Sequence, residues 1–320
     1  MNNLFLYIAG GNDPYTNLAA EEYLLGNLGE KEIVLYLWQN AHTVVIGKNQ
    51  NPWAECRCAL LEQENGHLAR RLSGGGAVYH DSGNLNFTFL CNEADYDLQK
   101  QFRVIQKACA LAGIPTEISG RNDLLAEGKK FSGNAFYHSK GKAYHHGTLL
   151  IDTDAEKMTR YLTPPQAKLQ AKGVRSVRSR VVNLKELAPA LTVEQMKDYM
   201  VRAFEETYGD AAFLLPEIPQ EVLDPRARAL ADPTYLYGAS PACDLTLEDR
   251  FDWGSIQLHL SVQKGTVTEL TAYTDAMDHT LPEQLQTALV GQPFETEILR
   301  KALAPLPCGA DLFSLLSRVL

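Results

Sequence analysis

The run Arg70-Arg71-Leu72-Ser73-Gly74-Gly75-Gly76-Ala77-Val78-Tyr79-His80-Asp81 sets two guanidinium groups beside three successive glycines. A turn stripped of side chains lets backbone N–H groups approach an anion closely and reach positive φ, and flanking arginines add fixed positive charge. This is the chemistry of a phosphate or carboxylate cradle; read alone, such a triplet is more often a mobile turn between strands. It is not a Walker loop, because no Gly-Lys-Ser or Gly-Lys-Thr follows after the required gap. Any nucleotide is held in some other way.

Three further segments carry chemistry-bearing types. In Ser119-Gly120-Arg121-Asn122-Asp123-Leu124, followed by Gly128-Lys129-Lys130-Phe131-Ser132-Gly133-Asn134-Ala135, two strands joined at Gly128 would bring Asp123 and Lys130 to one pocket. A lysine there lies close to a bound carbonyl or phosphate; the alternative is a hairpin with a solvated lysine, since lysine is seldom buried without a partner. Tyr144-His145-His146-Gly147-Thr148 places adjacent histidines on opposite faces of a strand, so they do not share a metal, although one of them can line a pocket. Arg175, Arg178 and Arg180 cluster in a short stretch of an acidic chain, which suits either a phosphate or acidic partner or a solvated charge run.

The elements around these residues read as strands at 4–9, 33–38, 43–46, 67–71, 77–80, 84–91, 116–119, 122–126, 130–138 and 143–151. Helices are expected from Asp13-Pro14 onward, from Pro52 to Asn65-Gly66, over 101–111, 155–162 and 192–208. Runs of adjacent strands with separate helices point to α+β architecture with a mixed or mostly antiparallel sheet, not a doubly wound parallel one. A break spans 238–249; beyond it 256–262 and 267–273 alternate as a hairpin with one wet face, and helices near 282–290, 294–303 and 310–320 complete a tail of about 70 residues. The expected division is a larger domain over 1–240 and a smaller one over 249–320.

With 320 residues, 45% apolar and 22% charged, the composition excludes disordered and fibrous classes. A net charge of −9 argues against a broad electropositive face for duplex nucleic acid. The six cysteines lack the spacing of zinc knuckles or thioredoxin-like motifs and read as reduced thiols. Residues 1–10 show no basic leader, and the apolar run 4–9 is too short to export or span, so the expected compartment is the cytoplasm, without membrane attachment.

Taken together, these segments resemble the lipoate–protein ligase A family in its bacterial two-domain form. The resemblance runs through Asn17-Leu18-Ala19 with Glu21-Glu22, Leu37-Trp38, Thr43-Val44-Val45-Ile46-Gly47, Asn51-Pro52-Trp53, the Arg70–Asp81 run, 119–123, Lys130 with Ser132-Gly133, 145–150, 176–181 and, in the tail, Phe251 and Trp253-Gly254. Order and spacing over nearly the whole chain make it specific. It implies an adenylating α+β domain of the biotin/lipoate ligase type with a small α+β accessory domain. The implied reaction has two steps: lipoate and ATP give lipoyl-AMP and pyrophosphate, then the lipoyl group passes to a lysine ε-amine of an acceptor domain. Implied partners are the lipoyl domains of 2-oxoacid dehydrogenase acyltransferase subunits and the glycine cleavage H protein, with Mg2+ accompanying ATP and a monomeric enzyme.

Carried over by position, Lys130 matches the family's pocket lysine and would contact both the lipoyl carbonyl and the phosphate. Arg71 and Gly76-Ala77-Val78-Tyr79 match ATP and adenylate-binding positions; Gly75, Asn84, Asp123, His146, Gly147, Arg178 and Arg180 are further pocket candidates, Asp123 being the carboxylate placed near magnesium. The 175–180 stretch looks like the family's closing loop, which would keep water from the adenylate. Leu72, Phe131 and Asn134 depart from common family choices, and the tail is somewhat short.

The nearest rival is an ATP-independent octanoyl or lipoyl transferase of the same fold, which needs a thiolate nucleophile. In such relatives the cysteine precedes the Gly-Lys-Lys segment, and 114–131 contains none; Cys91 and Cys109 read as core thiols. Biotin ligases are more remote, with a different glycine-arginine signature. A non-enzymatic scaffold sits poorly with retention of Lys130, Arg71 and the glycine turn together.

Overall fold

The computed structural model describes residues 2–120, 123–163, 181–238, 243–274, 276, 278 and 280–320. Packing divides the chain into two compact units, one formed by Met1–Lys48 and Ala69–Ala231, the other by Asn49–Leu68 and Asp232–Leu320. The grouping of 49–68 with the tail is not foreseen by the sequence reading.

The larger unit is built on an eight-stranded sheet. In chain order its strands are β1 (Asn3–Ile8), β2 (Glu32–Trp38), β6 (Asn84–Asn92), β7 (Glu117–Ser119), β8 (Asp123–Ala126), β9 (Lys129–Ser139), β10 (Lys142–Leu150) and β11 (Phe213–Leu214). Their spatial order is β11-β1-β2-β6-β10-β9-β8-β7. β1 runs parallel to both β2 and β11, and the remaining pairs are antiparallel, so the sheet is mixed, as the α+β reading expects. β3 (Thr43–Ile46), β4 (His67–Arg70) and β5 (Val78–His80) form a small second sheet in the order β4-β3-β5.

Period-two alternation sorts the large sheet into two faces. Leu35, Leu37, Leu85, Phe87, Phe89 and Cys91 fall on one face and join the apolar cluster beneath the helices Leu98–Leu111 and Val193–Tyr208. Tyr36, Trp38, Asn86 and Thr88 occupy the alternate positions and face the first helix, Pro14–Gly26, where Tyr36 Oη donates to Asn17 and Thr88 Oγ1 to Glu21. Asp13 caps that helix by accepting the Thr16 amide at 2.7 Å, and Pro14 opens its first turn. One face of the sheet is thus apolar core, and the other carries polar side chains under a helix.

In the smaller unit β12 (Cys243–Phe251), β13 (Gly254–Gln263) and β14 (Thr266–Thr274) form an antiparallel sheet. The expected hairpin is β13–β14, with Ile256, Leu258, Leu260 and Val262 buried on one face. β12 lies largely inside the stretch read from sequence as a break, which corrects that reading. The helices Leu281–Leu289, Thr296–Leu303 and Gly309–Leu316 complete the unit. The 49–68 segment is anchored there: Trp53 stacks on Tyr237 at 5.3 Å and meets Phe294 edge-on at 4.9 Å, and Ala59 N–H donates to Leu320 C=O. The expected single helix from Pro52 is two short ones, Pro52–Glu55 and Cys58–Gln63. The helix Gln220–Ala231, absent from the sequence reading, packs in the larger unit, where Arg226 pairs with Glu22 of the first helix at 2.7 Å. No described helix is long and apolar enough to cross a membrane.

Candidate active site

A cavity of about 340 Å3 opens on the polar face of the large sheet, entirely within the larger unit. Its floor follows one cross-strand row. Trp38 on β2 is opposite Asn86 on β6, Asn86 is opposite Thr148 on β10, the Thr148 hydroxyl accepts the Gly133 amide of β9, and Gly133 is opposite Asp123 on β8. Four strand spacings of ~4.8 Å separate the ends of that row by roughly 19 Å. The cavity therefore has an aromatic end at Trp38 and Leu18 and a charged end at Asp123 and Lys130.

At the charged end, Lys130 Nζ lies 2.7 Å from Asp123 Oδ1, and both side chains are 38% exposed. β8 and β9 are neighbours, so the pocket reading of this segment holds over the hairpin with a solvated lysine. Gly133 leaves the lysine its room, because a Cβ there would stand 3.0 Å from Nζ. The main chain at 181–182 returns beside this lysine, Val182 N–H donating to Lys130 C=O at 3.0 Å.

Over the middle of the row sits the glycine turn. Arg71 is buried beneath it: Nε donates to Ser73 Oγ, Nη1 to Val45 C=O, and Nη2 to the carbonyls of Gly74 and Gly76 at 2.8 and 2.7 Å. Burial lowers its pKa to about 10, partly offset by the charges of Tyr144 and Glu21, and it stays a cation at neutral pH. Four of its five N–H groups are thus spent on the protein. Arg71 draws the carbonyls of the turn inward. Arg70, also buried, donates to the carbonyls of Gly47 and Lys48. Only Gly75 of the triplet has positive φ, and Gly47 must be glycine because a Cβ there would fall 2.5 Å from Gly75 O.

The turn is tied to the first helix by a buried chain. Ser73 Oγ is 2.7 Å from His146 Nε2, and His146 Nδ1 donates to Glu21 Oε1 at 2.9 Å. Glu21 also accepts Thr88 Oγ1, which itself accepts Trp38 Nε1. His146 lines the cavity, whereas His145 points into the apolar face, where burial holds its pKa well below the usual value. The expected opposition of the two histidines holds.

Of the residues singled out in the sequence, Arg71, Gly75, Gly76, Ala77, Val78, Asp123, Lys130, His146 and Gly147 meet in this one cavity. Asn84 does not line it; its amide donates to Asn86 Oδ1, and Asn86 takes the place expected of it. The Tyr79 side chain is buried against His42 and Tyr161, leaving only its backbone for a ligand. Gly147 is required by packing, since a Cβ would lie 2.7 Å from both Phe87 and Asn134. Arg178, Arg180 and the 175–180 stretch lie outside the described residues. Among the described residues no three His, Cys, Asp or Glu side chains gather to hold a metal ion. Asp123 is already engaged by Lys130, so these residues do not make a resident magnesium site; a metal arriving on a nucleotide would bring phosphate and water ligands with it.

Sequence reasoning missed Glu21, Ser73, His80 and Asn86 as parts of the site. A signal for the first was present: positions 14, 17, 18, 21, 24 and 25 form one helical stripe, and Asn17 and Glu21 are its polar members.

Residues 13–205 match the family model of the lipoyl protein ligase A/B catalytic domain. The chain belongs to that family. Residues 240–314 further match the bacterial lipoate protein ligase C-terminus, so this is the two-domain form of a ligase. Over 97% of its length the chain is similar to 98% of Plasmodium falciparum LipL1, solved with lipoate, at 26% identity and a TM-score of 0.64. It shares its fold with the bipartite lipoate protein ligase of Thermoplasma acidophilum, solved with its E2 lipoyl domain, at 24% identity, 73% and 94% coverage and a TM-score of 0.63. A lipoate–protein ligase A solved with ATP also has this fold, at 23% identity, 73% and 96% coverage and a TM-score of 0.62.

Proposed function

We propose that the ligase activates lipoate with ATP in this cavity and passes the lipoyl group to a lysine of an acceptor domain. A carboxylate oxygen of lipoate attacks the α-phosphorus, the bond to the bridging oxygen breaks, and pyrophosphate leaves. The neutral ε-amine of the acceptor lysine then attacks the carbonyl carbon, the bond to the adenylate oxygen breaks, AMP leaves and the amine releases a proton. Both steps build negative charge on the carbonyl and α-phosphate oxygens, which a fixed cation in a confined site stabilises.

The observation that carries this reading is Lys130, a half-exposed ammonium at the charged end of the cavity, while the arginines nearby are buried and bonded to backbone carbonyls. The adenylate belongs at that end beneath the glycine turn, where Arg71 fixes the shape of the turn, and the acyl chain extends toward Leu18 and Trp38. The catalytic function is assigned to 1–240 and an accessory function to 249–320. Lipoyl domains of 2-oxoacid dehydrogenases and the glycine cleavage H protein are the proposed acceptors, served in the cytoplasm.

The thiolate route of a transferase has less support. No described cysteine lines the cavity, and burial raises the thiols of Cys91 and Cys109 to about 12. The deciding experiment is lipoate-dependent exchange of labelled pyrophosphate into ATP. Exchange above a no-lipoate control is expected; folded protein giving none with magnesium, but moving octanoyl groups without ATP, would replace this reading with the transferase.

A further inference from the structure

Midway along the floor of the cavity stands a hydroxyl. Thr148, on β10, is 9% exposed and lines the cavity between Asn86 on one side and Gly133 on the other. The pairing of β9 with β10 runs up to Asn134 and Gly147 and ends there, so the Gly133 amide has no ladder carbonyl and donates to Thr148 Oγ1 instead, at 3.3 Å. That bond uses one lone pair of the hydroxyl and leaves its hydrogen, for which the described residues provide no acceptor. A threonine in a strand is stiff at χ1, so the donor is fixed before a ligand arrives.

The same place is within reach of Lys130. Gly133 has no side chain, and the point where its Cβ would stand is 3.0 Å from Lys130 Nζ and 3.9 Å from Thr148 Oγ1. An oxygen seated beside that point meets the hydroxyl on one side and the ammonium, on its flexible stem, on the other. Position along the trough decides which oxygen it is. With the acyl chain toward Leu18 and Trp38 and the adenylate toward Asp123 and Lys130, the carbonyl group that joins them falls at Thr148 and Gly133. Neighbouring groups on this face are committed elsewhere: His146 to Ser73 and Glu21, and the Trp38 indole N–H to Thr88.

We infer that Thr148 is a further catalytic residue: its O–H donates to the acyl carbonyl oxygen, opposite the Lys130 ammonium, in both steps. In the first, one carboxylate oxygen attacks the α-phosphorus while the hydroxyl holds the other. In the second, the amine nitrogen bonds to the carbonyl carbon, the C=O electron pair moves onto the held oxygen, and it returns as the bond to the adenylate oxygen breaks. The hydroxyl keeps its proton throughout. Two fixed donors on one oxygen, one neutral and one charged, stabilise the charge that gathers there. The inference rests on the two-step reaction proposed above.

Two measurements on the full chain test it. Thr148→Val keeps the shape of the side chain and removes the donor, whereas Thr148→Ser keeps the donor. In pyrophosphate exchange, Thr148→Val should lower kcat roughly 10^2-fold, as for one oxyanion donor, with KM for ATP little changed, and Thr148→Ser should recover most of the loss. Packing alone would not move the second readout, the infrared stretch of bound lipoyl-AMP labelled with 13C at the carbonyl. A hydrogen bond weakens the C=O bond, so the stretch should lie lower in wild type and Thr148→Ser than in Thr148→Val. Equal stretches in all three, or a serine variant as slow as the valine one, overturns the inference. If Thr148→Val does not fold, Thr148→Ala carries the same comparison. A folded wild-type enzyme without lipoate-dependent exchange would instead refute the proposed function, whereas one that exchanges no faster than Thr148→Val refutes only the role of Thr148.

Discussion

Arg71 and Lys130 line the same cavity and carry the same charge, but the protein uses them differently. The arginine is 6% exposed, and its planar fork ties three backbone carbonyls, one on β3 (Val45) and two in the glycine turn (Gly74 and Gly76). Lys130 is 38% exposed, with Asp123 as its ion-pair partner. A buried cation with its donors spent on carbonyls gives shape, while a half-exposed one keeps donors for a ligand. The difference follows from residue type, since a guanidinium satisfies several acceptors in one plane and an ammonium is a mobile point charge.

That contrast breaks or stands on substitution. Lys130→Met should lower lipoate-dependent exchange by about 10^2–10^3, the effect of removing one preorganised donor from a developing oxyanion. Its thermal midpoint should move little, because a half-exposed ion pair contributes at most ~1 kcal/mol. Near-normal lipoyl-AMP formation in this variant would remove Lys130 from the chemistry.

Arg71→Met should behave in the opposite way. The carbonyls of Val45, Gly74 and Gly76 lose their donors, the first of them buried, for a stability loss of about 1–3 kcal/mol measured by urea unfolding. Activity should fall along with the fold of the turn, and Arg71→Lys should recover little, since an ammonium cannot span the same acceptors. If Arg71→Met unfolds like wild type, the scaffold role is wrong.

A smaller effect concerns two buried histidines, one on each sheet of the larger unit. His145 and His80 both titrate below the ordinary histidine value, His80 near 3, because burial penalises the imidazolium. Below pH 6.5 the unfolded chain therefore binds more protons than the folded one, and stability falls as the pH drops. Each histidine contributes a slope of up to ~1.4 kcal/mol per pH unit between pH 6.5 and 5. His145→Leu should flatten that slope whatever it does to the midpoint at pH 7. An unaltered slope would mean that His145 titrates normally in the fold.

The sequence made the Lys130–Asp123 pairing readable because both residues flank one tight turn at Glu127-Gly128, where local spacing fixes the geometry. The scaffold role of Arg71 was not readable: its acceptors at 45, 74 and 76 depend on how β3 and the glycine turn meet, a tertiary fact. The helix Gln220–Ala231 was hidden by Pro225, normally a breaker, which stands inside the helix as the sixth of its twelve residues. β12 was hidden because its sequence, Cys-Asp-Leu-Thr-Leu-Glu-Asp-Arg-Phe, is half charged or polar, as suits an edge strand. β11 is two residues long and exists only by pairing with Phe5 and Leu6. Glu21 falls within the family resemblance, but its role depends on Thr88 and His146, which come from distant strands, and only its place on the polar stripe of the first helix points to it.

The 49–68 segment has a further consequence during synthesis. It emerges from the ribosome long before position 232, where the rest of its unit begins. At about 5–20 residues per second the wait is roughly 10–30 s. Throughout that interval Trp53 lacks Tyr237 and Phe294, and the Ala59 amide lacks the Leu320 carbonyl, while the large sheet on both sides of the segment in sequence is already being made. The nascent chain therefore carries the segment with a bare indole, and its contacts are complete only once positions 237, 294 and 320 have been made.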